Sequence, residues 1–214
     1  MTELAKEIFP GDGTHFFIPG PAGMIESMVS AAQGDVNIMA IICHPHPLYG
    51  GSMQNKVVHT LDKALHKLGV LTLRFNFRGI GRSEGEYADA IGEVDDLGAV
   101  VTWLRERKPG YQLWLAGFSF GAYIVMRAMQ AHQPSQLLLV APPVNIFDFN
   151  GIQSPQCPCL LIQGAEDEIV DSQQVLDWAQ QFSGINVVQL PAAGHFFHGQ
   201  LNVLQAAITD NLTL

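Results

Sequence analysis

A serine between two glycines carries the strongest chemical signal in the chain. Ser119 lies at the centre of the G-F-S-F-G stretch of residues 117–121, directly after the apolar run 113–116 and before the helical pattern of residues 122–129. In that context a G-x-S-x-G sequence predicts a sharp strand-to-helix turn that exposes the serine hydroxyl. The start of a helix also favours developing negative charge. The pattern predicts that Ser119 is a nucleophile.

A serine hydroxyl is a weak nucleophile at neutral pH, so it needs a base, and the base needs an acid to orient it. Where this turn occurs, the acid and then the histidine follow the serine along the chain. The loop after the apolar run 159–163 holds Glu166, Asp167 and Glu168. The G-x-x-D-x-x-V spacing of residues 164–170 favours Asp167 as the acid and leaves the two glutamates as solvated loop charges. The alternative is that Asp167 only caps a turn.

Two histidines compete for the role of base. His195 follows Gly194 in the loop after the apolar run 187–190, which leaves its side chain free to lie over the end of the sheet. His198 is expected to begin the closing helix. We therefore predict that His195 is the base.

Acyl transfer also needs backbone N–H groups directed at the oxyanion, and loss of one such donor lowers turnover about 10²–10³-fold. The N–H of Phe120, the residue after the nucleophile, is predicted to be one donor. The second is expected from the H-P-H-P-L-Y-G-G stretch of residues 44–51. Because its prolines have no N–H, His46 is the predicted donor and Leu48 is the alternative.

Two other patterns point to different chemistry. His44 and His46 would share one face of a strand, but Cys43 would point the other way, so no metal site is predicted. The glycine-rich stretch 79–85 has Glu84 where a dinucleotide-binding loop needs its third glycine. This stretch is predicted to form a tight turn near the site, and no cofactor is predicted.

The elements that must position these residues alternate regularly along the chain. Two β-rich runs come first, at residues 14–18 and 24–33. Apolar runs follow at residues 38–42, 70–75, 113–116, 137–140, 159–162 and 187–190, and helical spacing marks the stretches 61–68, 97–104, 175–182 and 201–208. Asp171, with Gln174 three residues later, predicts the start of the third of these helices. Continuous apolar runs between helices predict an α/β fold with a mostly parallel sheet covered by helices on both faces, in a single domain over residues 1–214.

The composition limits the classes of partner. The 214 residues are 48% hydrophobic and carry a formal net charge of −9, which disfavours nucleic acids and anionic membrane surfaces as partners. Residues 1–10 lack the pattern of a secretory signal, so a cytoplasmic location is expected. The three cysteines, Cys43, Cys157 and Cys159, suggest reduced thiols rather than a disulfide framework.

Three longer strings carry a resemblance to a known family. They are residues 44–58 (H-P-H-P-L-Y-G-G-S-M-Q-N-K-V-V), 78–85 (R-G-I-G-R-S-E-G) and 194–199 (G-H-F-F-H-G). With the serine turn, they resemble the α/β-hydrolase superfamily, and within it small bacterial hydrolases related to dienelactone hydrolase and acyl-peptidases. The resemblance implies an eight-stranded sheet, carboxylic-ester hydrolysis and a triad of Ser119, Asp167 and His195. Dienelactone hydrolase is similar but has cysteine at the nucleophile position, so Ser119 argues against that particular reaction.

Many members of the superfamily insert a helical cap before the strand that precedes the acid. Here only residues 141–158 are available, which is too short for a cap domain. We therefore predict an open cleft without a lid, suited to short or medium acyl groups. The aromatic residues predicted to edge this cleft are Tyr49, Phe118, Phe120, Phe147 and Phe149.

The sequence predicts a carboxylesterase-like serine hydrolase that acts on a small acyl substrate without a metal or organic cofactor. A thioesterase, a peptidase or an acyltransferase would use the same residues. A non-catalytic binding protein with this fold is the alternative from another class, although all three triad positions are filled. Neither the natural substrate nor the oligomeric state follows from the sequence.

Overall fold

A computed structural model of the protein describes residues 9–31 and 36–214. Within these ranges, eight strands form one sheet in the order β1-β2-β4-β3-β5-β6-β7-β8. The strands are β1 (His15–Gly20), β2 (Gly23–Ser30), β3 (Ile38–Cys43), β4 (Leu71–Phe75), β5 (Gln112–Phe118), β6 (Gln136–Val140), β7 (Cys159–Gly164) and β8 (Ile185–Leu190). Strand β2 is antiparallel to both its neighbours, and all other neighbouring pairs are parallel. The predicted eight-stranded, mostly parallel sheet is confirmed.

Helices cover both faces of the sheet, as the continuous apolar runs predicted. They are α1 (Lys56–Lys67), α2 (Gly92–Arg107), α3 (Phe120–His132), α4 (Ser172–Ala179) and α5 (Leu201–Asn211), with a short 3₁₀ helix at Pro47–Tyr49. Helices α1 and α5 pack on one face, and α2, α3 and α4 pack on the other. In β3, Met39 and Ile41 enter one core while Ala40 and Ile42 enter the other, because successive side chains of a strand point to opposite faces.

Some predicted boundaries differ from the structure. Strand β2 ends at Ser30, and residues 32–33 of the predicted run lie outside the described residues, as does most of the segment 1–10 tested for a secretory signal. Helix α4 ends at Ala179, so Phe182 follows the helix and packs against Trp178. In the described ranges, no helix combines the length and the apolar character needed to cross a membrane.

The carboxyl edge of the sheet carries no additional domain. Residues 141–158, between β6 and β7, contain neither a helix nor a strand, which confirms the prediction that a cap is absent. The loops that follow β3, β5, β7 and β8 are therefore free to meet above the sheet.

Cys43, Cys157 and Cys159 are all free thiols, and burial raises the pKa of the Cys159 thiol to about 12.

Candidate active site

The turn between β5 and α3 holds Ser119 in an unusual backbone conformation. Its φ of 53° and ψ of −120° lie in a region that residues with a side chain rarely adopt. A hydrogen bond of 2.8 Å from its N–H to the Val140 carbonyl fixes the turn. A Cβ on Gly117 would overlap the backbone of Gly121, and a Cβ on Gly121 would overlap the carbonyl of Cys43. Both glycines of the motif are therefore required by close backbone approach.

The contact at Gly121 predicts the effect of a single methyl group. Gly121→Ala should lower the free energy of unfolding by about 1–3 kcal/mol, because the added methyl meets backbone atoms that cannot rotate away. The measurement is urea unfolding followed by circular dichroism. Gly184→Ala is the matched control, since nothing lies within 4 Å of its added Cβ. Equal unfolding curves for the two variants would contradict the prediction.

The structure brings the serine, the histidine and the acid into one hydrogen-bonded line. The Nε2 atom of His195 lies 3.1 Å from the Oγ atom of Ser119, and its Nδ1 atom lies 2.8 Å from the Oδ2 atom of Asp167. Since a carboxylate only accepts hydrogen bonds, the imidazole proton is on Nδ1. In the neutral imidazole the other nitrogen, Nε2, then carries no proton and faces the serine hydroxyl, as a general base requires. The side chain of His195 is buried, which fixes its position.

Four donors surround the carboxylate of Asp167. Its Oδ2 atom accepts from His195 and from the side-chain amide of Gln163, and its Oδ1 atom accepts from the N–H groups of Ile169 and Val170. Burial alone would raise the pKa of Asp167, but the hydrogen bonds from His195, Val170 and Ile169 outweigh it, so the pKa lies below its usual value. The carboxylate stays ionised and keeps His195 in the required orientation. Asp167 also accepts two backbone N–H groups of its own turn, so it both caps that turn and orients His195.

Two residues of this region differ from the sequence-based interpretation. Glu168 is exposed but is not only a solvated charge, because its Oε2 atom accepts the backbone N–H of His195 at 3.0 Å. His198 does not begin the closing helix: it is exposed in a turn, and α5 begins at Leu201. Sequence reasoning also missed Gln163, whose amide supports the acid from within β7.

The prediction that Phe118 edges the cleft is wrong. Phe118 is fully buried and shares the core beneath α1 and α5 with Trp114 and Ala116, because alternate residues of β5 point to the same face. Its ring packs 5.1 Å from the ring of His195 and so supports the base from below. Phe149 is likewise buried, in the other core.

The predicted oxyanion donors lie next to the nucleophile. The rings of His46 and Phe120 are 4.8 Å apart, and both residues line the same pocket as Ser119. Among the described residues, neither backbone N–H has an acceptor, which leaves both free for a ligand oxygen. The N–H of Leu48, the alternative, donates instead to the Nδ1 atom of His46 at 3.2 Å.

His44 connects the loop that carries His46 to the segment after β4. Its Nδ1 atom lies 2.6 Å from the carbonyl of Pro45, and its Nε2 atom accepts the N–H of Phe77 at 3.0 Å. Both ring nitrogens are therefore engaged within the protein. Burial lowers the pKa of His44 from 6.5 to about 4, so the ring is neutral in the folded protein.

The lowered pKa of His44 predicts acid sensitivity with a defined pH window. Between about pH 6.5 and the folded pKa of about 4, the unfolded chain binds a proton that the native state does not. The stability contributed by the neutral ring is therefore fully present above this window. The free energy of unfolding falls by about 3 kcal/mol as the pH drops through the window. We expect urea unfolding at several pH values to show a shallower pH dependence for His44→Gln, whose amide can keep both contacts. Parallel pH profiles for the two proteins would be inconsistent with this role.

The glycine-rich stretch 79–85 forms a tight turn, as predicted. Gly81 has a φ of 58°, and a Cβ there would overlap the side chain of Asn76. Glu26 accepts from Asn76 at 2.8 Å and from the N–H of Arg82 at 2.9 Å, while Asn76 accepts the N–H of Met53 at 2.8 Å. These hydrogen bonds connect the turn to Met53, which lies in the segment just after the loop that carries His46.

A pocket of about 400 Å³ opens at the serine. Of the residues predicted to contact substrate, Tyr49 and Phe147 line it, as does Phe120. The remaining lining residues are Pro45, His46, Gly50, Gly51, Asn55, Ser119, Pro143, Ile146, Ile169, His195 and Phe196. Ile146, Ile169 and Phe196 come from loops without a periodic pattern, so no hydrophobic pattern assigns them to the pocket wall.

Comparisons with known proteins agree with this fold. The family model described as serine aminopeptidase, S33, matches residues 46–155. The uncharacterized protein RP471 of Rickettsia prowazekii is 37% identical over 207 residues, covering 92% of this chain and 87% of that protein.

Two solved structures are also similar over nearly the whole chain. XC6422 from Xanthomonas campestris, an α/β serine hydrolase without a lid, is 42% identical with a TM-score of 0.91, covering 95% of this chain and 94% of that one. An α/β serine hydrolase homologue from Coxiella burnetii is 43% identical with a TM-score of 0.93, covering 96% of this chain and all of that one. The chain belongs to the serine aminopeptidase S33 family, within the α/β-hydrolase superfamily of serine hydrolases.

Proposed function

We propose that the protein is a carboxylesterase-like serine hydrolase that cleaves short or medium acyl esters through an acyl-enzyme on Ser119. The observation that carries the proposal is the continuous line of hydrogen bonds from Ser119 through His195 to Asp167, with distances of 3.1 and 2.8 Å. The serine end of this line faces an open pocket, and the three residues come from three separate loops.

Each step of the reaction has a group in place. The Oγ atom of Ser119 attacks the ester carbonyl while Nε2 of His195 accepts the hydroxyl proton. The N–H groups of Phe120 and His46 receive the oxyanion, and Asp167 stabilises the imidazolium that forms. The imidazolium gives its proton to the departing alcohol, and water then cleaves the acyl-enzyme by the same route. Protein groups and water supply every step.

The shape of the pocket supports a small acyl group. Residues 141–158 form no cap over the pocket, so a long acyl chain would extend into water beyond the apolar lining. Only the part of the chain that contacts apolar surface adds binding energy. The proposed partner is therefore a small acyl ester.

Hydrolysis of p-nitrophenyl esters from acetate to palmitate tests the proposal. We expect kcat/KM to rise through the short and medium chains and then to level off, with no further gain up to palmitate, because additional methylenes gain no enclosed surface. The Ser119→Ala protein gives the background rate for each ester. A preference for palmitate, or no hydrolysis of any ester above this background, would refute the proposal.

A further inference from the structure

In the part of the chain that the structure describes, the candidate pocket offers a substrate no carboxylate, ammonium or guanidinium group. Among the residues that line it, none is Asp, Glu, Lys or Arg. Its polar side-chain groups belong to His46, Tyr49, Asn55, Ser119 and His195, and all of them are uncharged or titratable rings. The side-chain oxygen of Asn55 already accepts the N–H of Val57 at 2.8 Å, where it caps α1.

The two carboxylates that contact His195 already have hydrogen-bond partners within the protein. Asp167 lies behind His195, with its side chain buried and its oxygens engaged by four donors. Glu168 accepts the backbone N–H of His195 and does not line the pocket. An ammonium group on the substrate would therefore lose its water without gaining a carboxylate, which is unfavourable.

The lining of the pocket is largely apolar as well as uncharged. Four of the large hydrophobic side chains that are exposed in the described ranges line it, namely Tyr49, Ile146, Ile169 and Phe196. The most exposed is Tyr49, at 86%. They come from four separate segments, so this apolar rim arises from tertiary structure and can contact both the acyl and the alcohol side of an ester.

We infer that the substrate is uncharged on both sides of the scissile bond, which excludes α-aminoacyl substrates and acyl-coenzyme A thioesters as good substrates. This inference rests on the proposed ester hydrolysis at Ser119. The net charge of −9 attracts an ammonium and repels a phosphate. Discrimination against the ammonium must therefore arise in the pocket itself, whereas the protein's negative charge adds to the discrimination against coenzyme A.

A matched pair of acyl groups tests the acyl side. The p-nitrophenyl esters of valine and of 3-methylbutanoic acid share one carbon skeleton and differ by the α-amino group. Assays are run well below the pKa of that amine, and each kcat/KM is divided by the ester's hydroxide-catalysed rate to remove its intrinsic reactivity. We expect the valine ester to be about 100-fold poorer. A difference below tenfold would overturn the inference.

A second pair tests the leaving-group side. Butanoyl-coenzyme A and S-butanoyl-N-acetylcysteamine present the same acyl group and the same sulfur, but only the first carries phosphates. We expect the neutral thioester to have a kcat/KM at least about tenfold higher, with the difference shrinking as salt screens the repulsion. A preference for the coenzyme A thioester would contradict the inference.

A negative charge placed at the pocket should weaken the discrimination against the ammonium group. Ile146 is 54% exposed, so Ile146→Glu adds a carboxylate at the rim without burying it. We expect this variant to improve the ratio of valine ester to 3-methylbutanoate ester about fivefold relative to Ile146→Gln, the matched neutral control. Equal ratios for the two variants would show that charge does not govern selection.

These outcomes are separable from failure of the proposed function. If wild-type protein hydrolyses the valine ester as well as the neutral one and Ser119→Ala hydrolyses neither, the inference fails and ester hydrolysis at Ser119 stands. If wild-type protein hydrolyses neither ester above the Ser119→Ala background, the proposed function itself fails.

Discussion

Ser119→Ala is expected to lower kcat/KM for p-nitrophenyl acetate by at least about 10⁴-fold. The substitution removes the only atom that can form the acyl-enzyme, and the remaining N–H donors can only assist attack by water. The measurement is steady-state hydrolysis, with the variant purified on unused resin to avoid carry-over of wild-type protein. Retention of more than one-tenth of the wild-type activity would exclude Ser119 as the nucleophile.

The fold should be unaffected by this change. Alanine and serine have the same backbone requirements, and among the described residues the Oγ atom of Ser119 has a single partner, His195. We expect the free energy of unfolding to change by less than about 1 kcal/mol. Ser154→Ala is the matched control, since Ser154 lies on another part of the surface and none of the residues that the structure describes hydrogen-bonds to its hydroxyl. It should hydrolyse the ester at the wild-type rate.

Asp167→Asn should lower kcat about 10³–10⁴-fold while leaving the site assembled. The amide would present an N–H to Nδ1 of His195, which moves the imidazole proton to Nε2. The nitrogen that faces Ser119 would then be protonated and could no longer accept the hydroxyl proton. Nitrogen-15 NMR of the imidazole would report this change of tautomer independently of turnover.

Glu168→Gln is the matched control for this prediction. It makes the same chemical change one residue away and keeps an oxygen that can accept the N–H of His195. We expect less than a tenfold loss, since the backbone contact survives. If Glu168→Gln were as damaging as Asp167→Asn, or if Asp167→Asn retained full activity, the assignment of the acid would be incorrect.

Much of the sheet and the order of the triad could be predicted because both depend on local sequence. A strand covered on both faces is mostly apolar, and β3 together with residues 137–140 of β6 shows this directly. The carboxyl ends of parallel strands meet at one edge, so the loops holding Ser119, Asp167 and His195 had to converge there.

The pocket wall could not be predicted because no periodicity governs it. Ile146, Ile169 and Phe196 lie in three loops whose paths depend on tertiary packing. Phe118 was misplaced for another reason: β5 continues to Phe118, beyond the apolar run 113–116 used to predict it. Counting the strand's alternation through to residue 118 would have assigned this side chain to the core.

Helix ends and side chains that accept backbone N–H groups also lie beyond sequence patterns. The apolar spacing of Trp178 and Phe182 suggests a helix that continues to residue 182, but α4 ends at Ala179. The rings of Trp178 and Phe182 are in contact even though Phe182 lies outside the helix. The role of Glu168 depends on a backbone N–H that only the folded loop presents. Side-chain type alone gives no sign of such a contact.

Covalent labelling tests most directly whether His195 activates the hydroxyl of Ser119. Wild-type protein is treated with a fluorophosphonate, and the modified residue is mapped by peptide mass spectrometry. We expect one adduct, on Ser119, formed rapidly by wild-type protein, slowly by Asp167→Asn and not at all by Ser119→Ala. An adduct on a different residue, or folded wild-type protein that stays unmodified, would contradict a nucleophilic serine at this site.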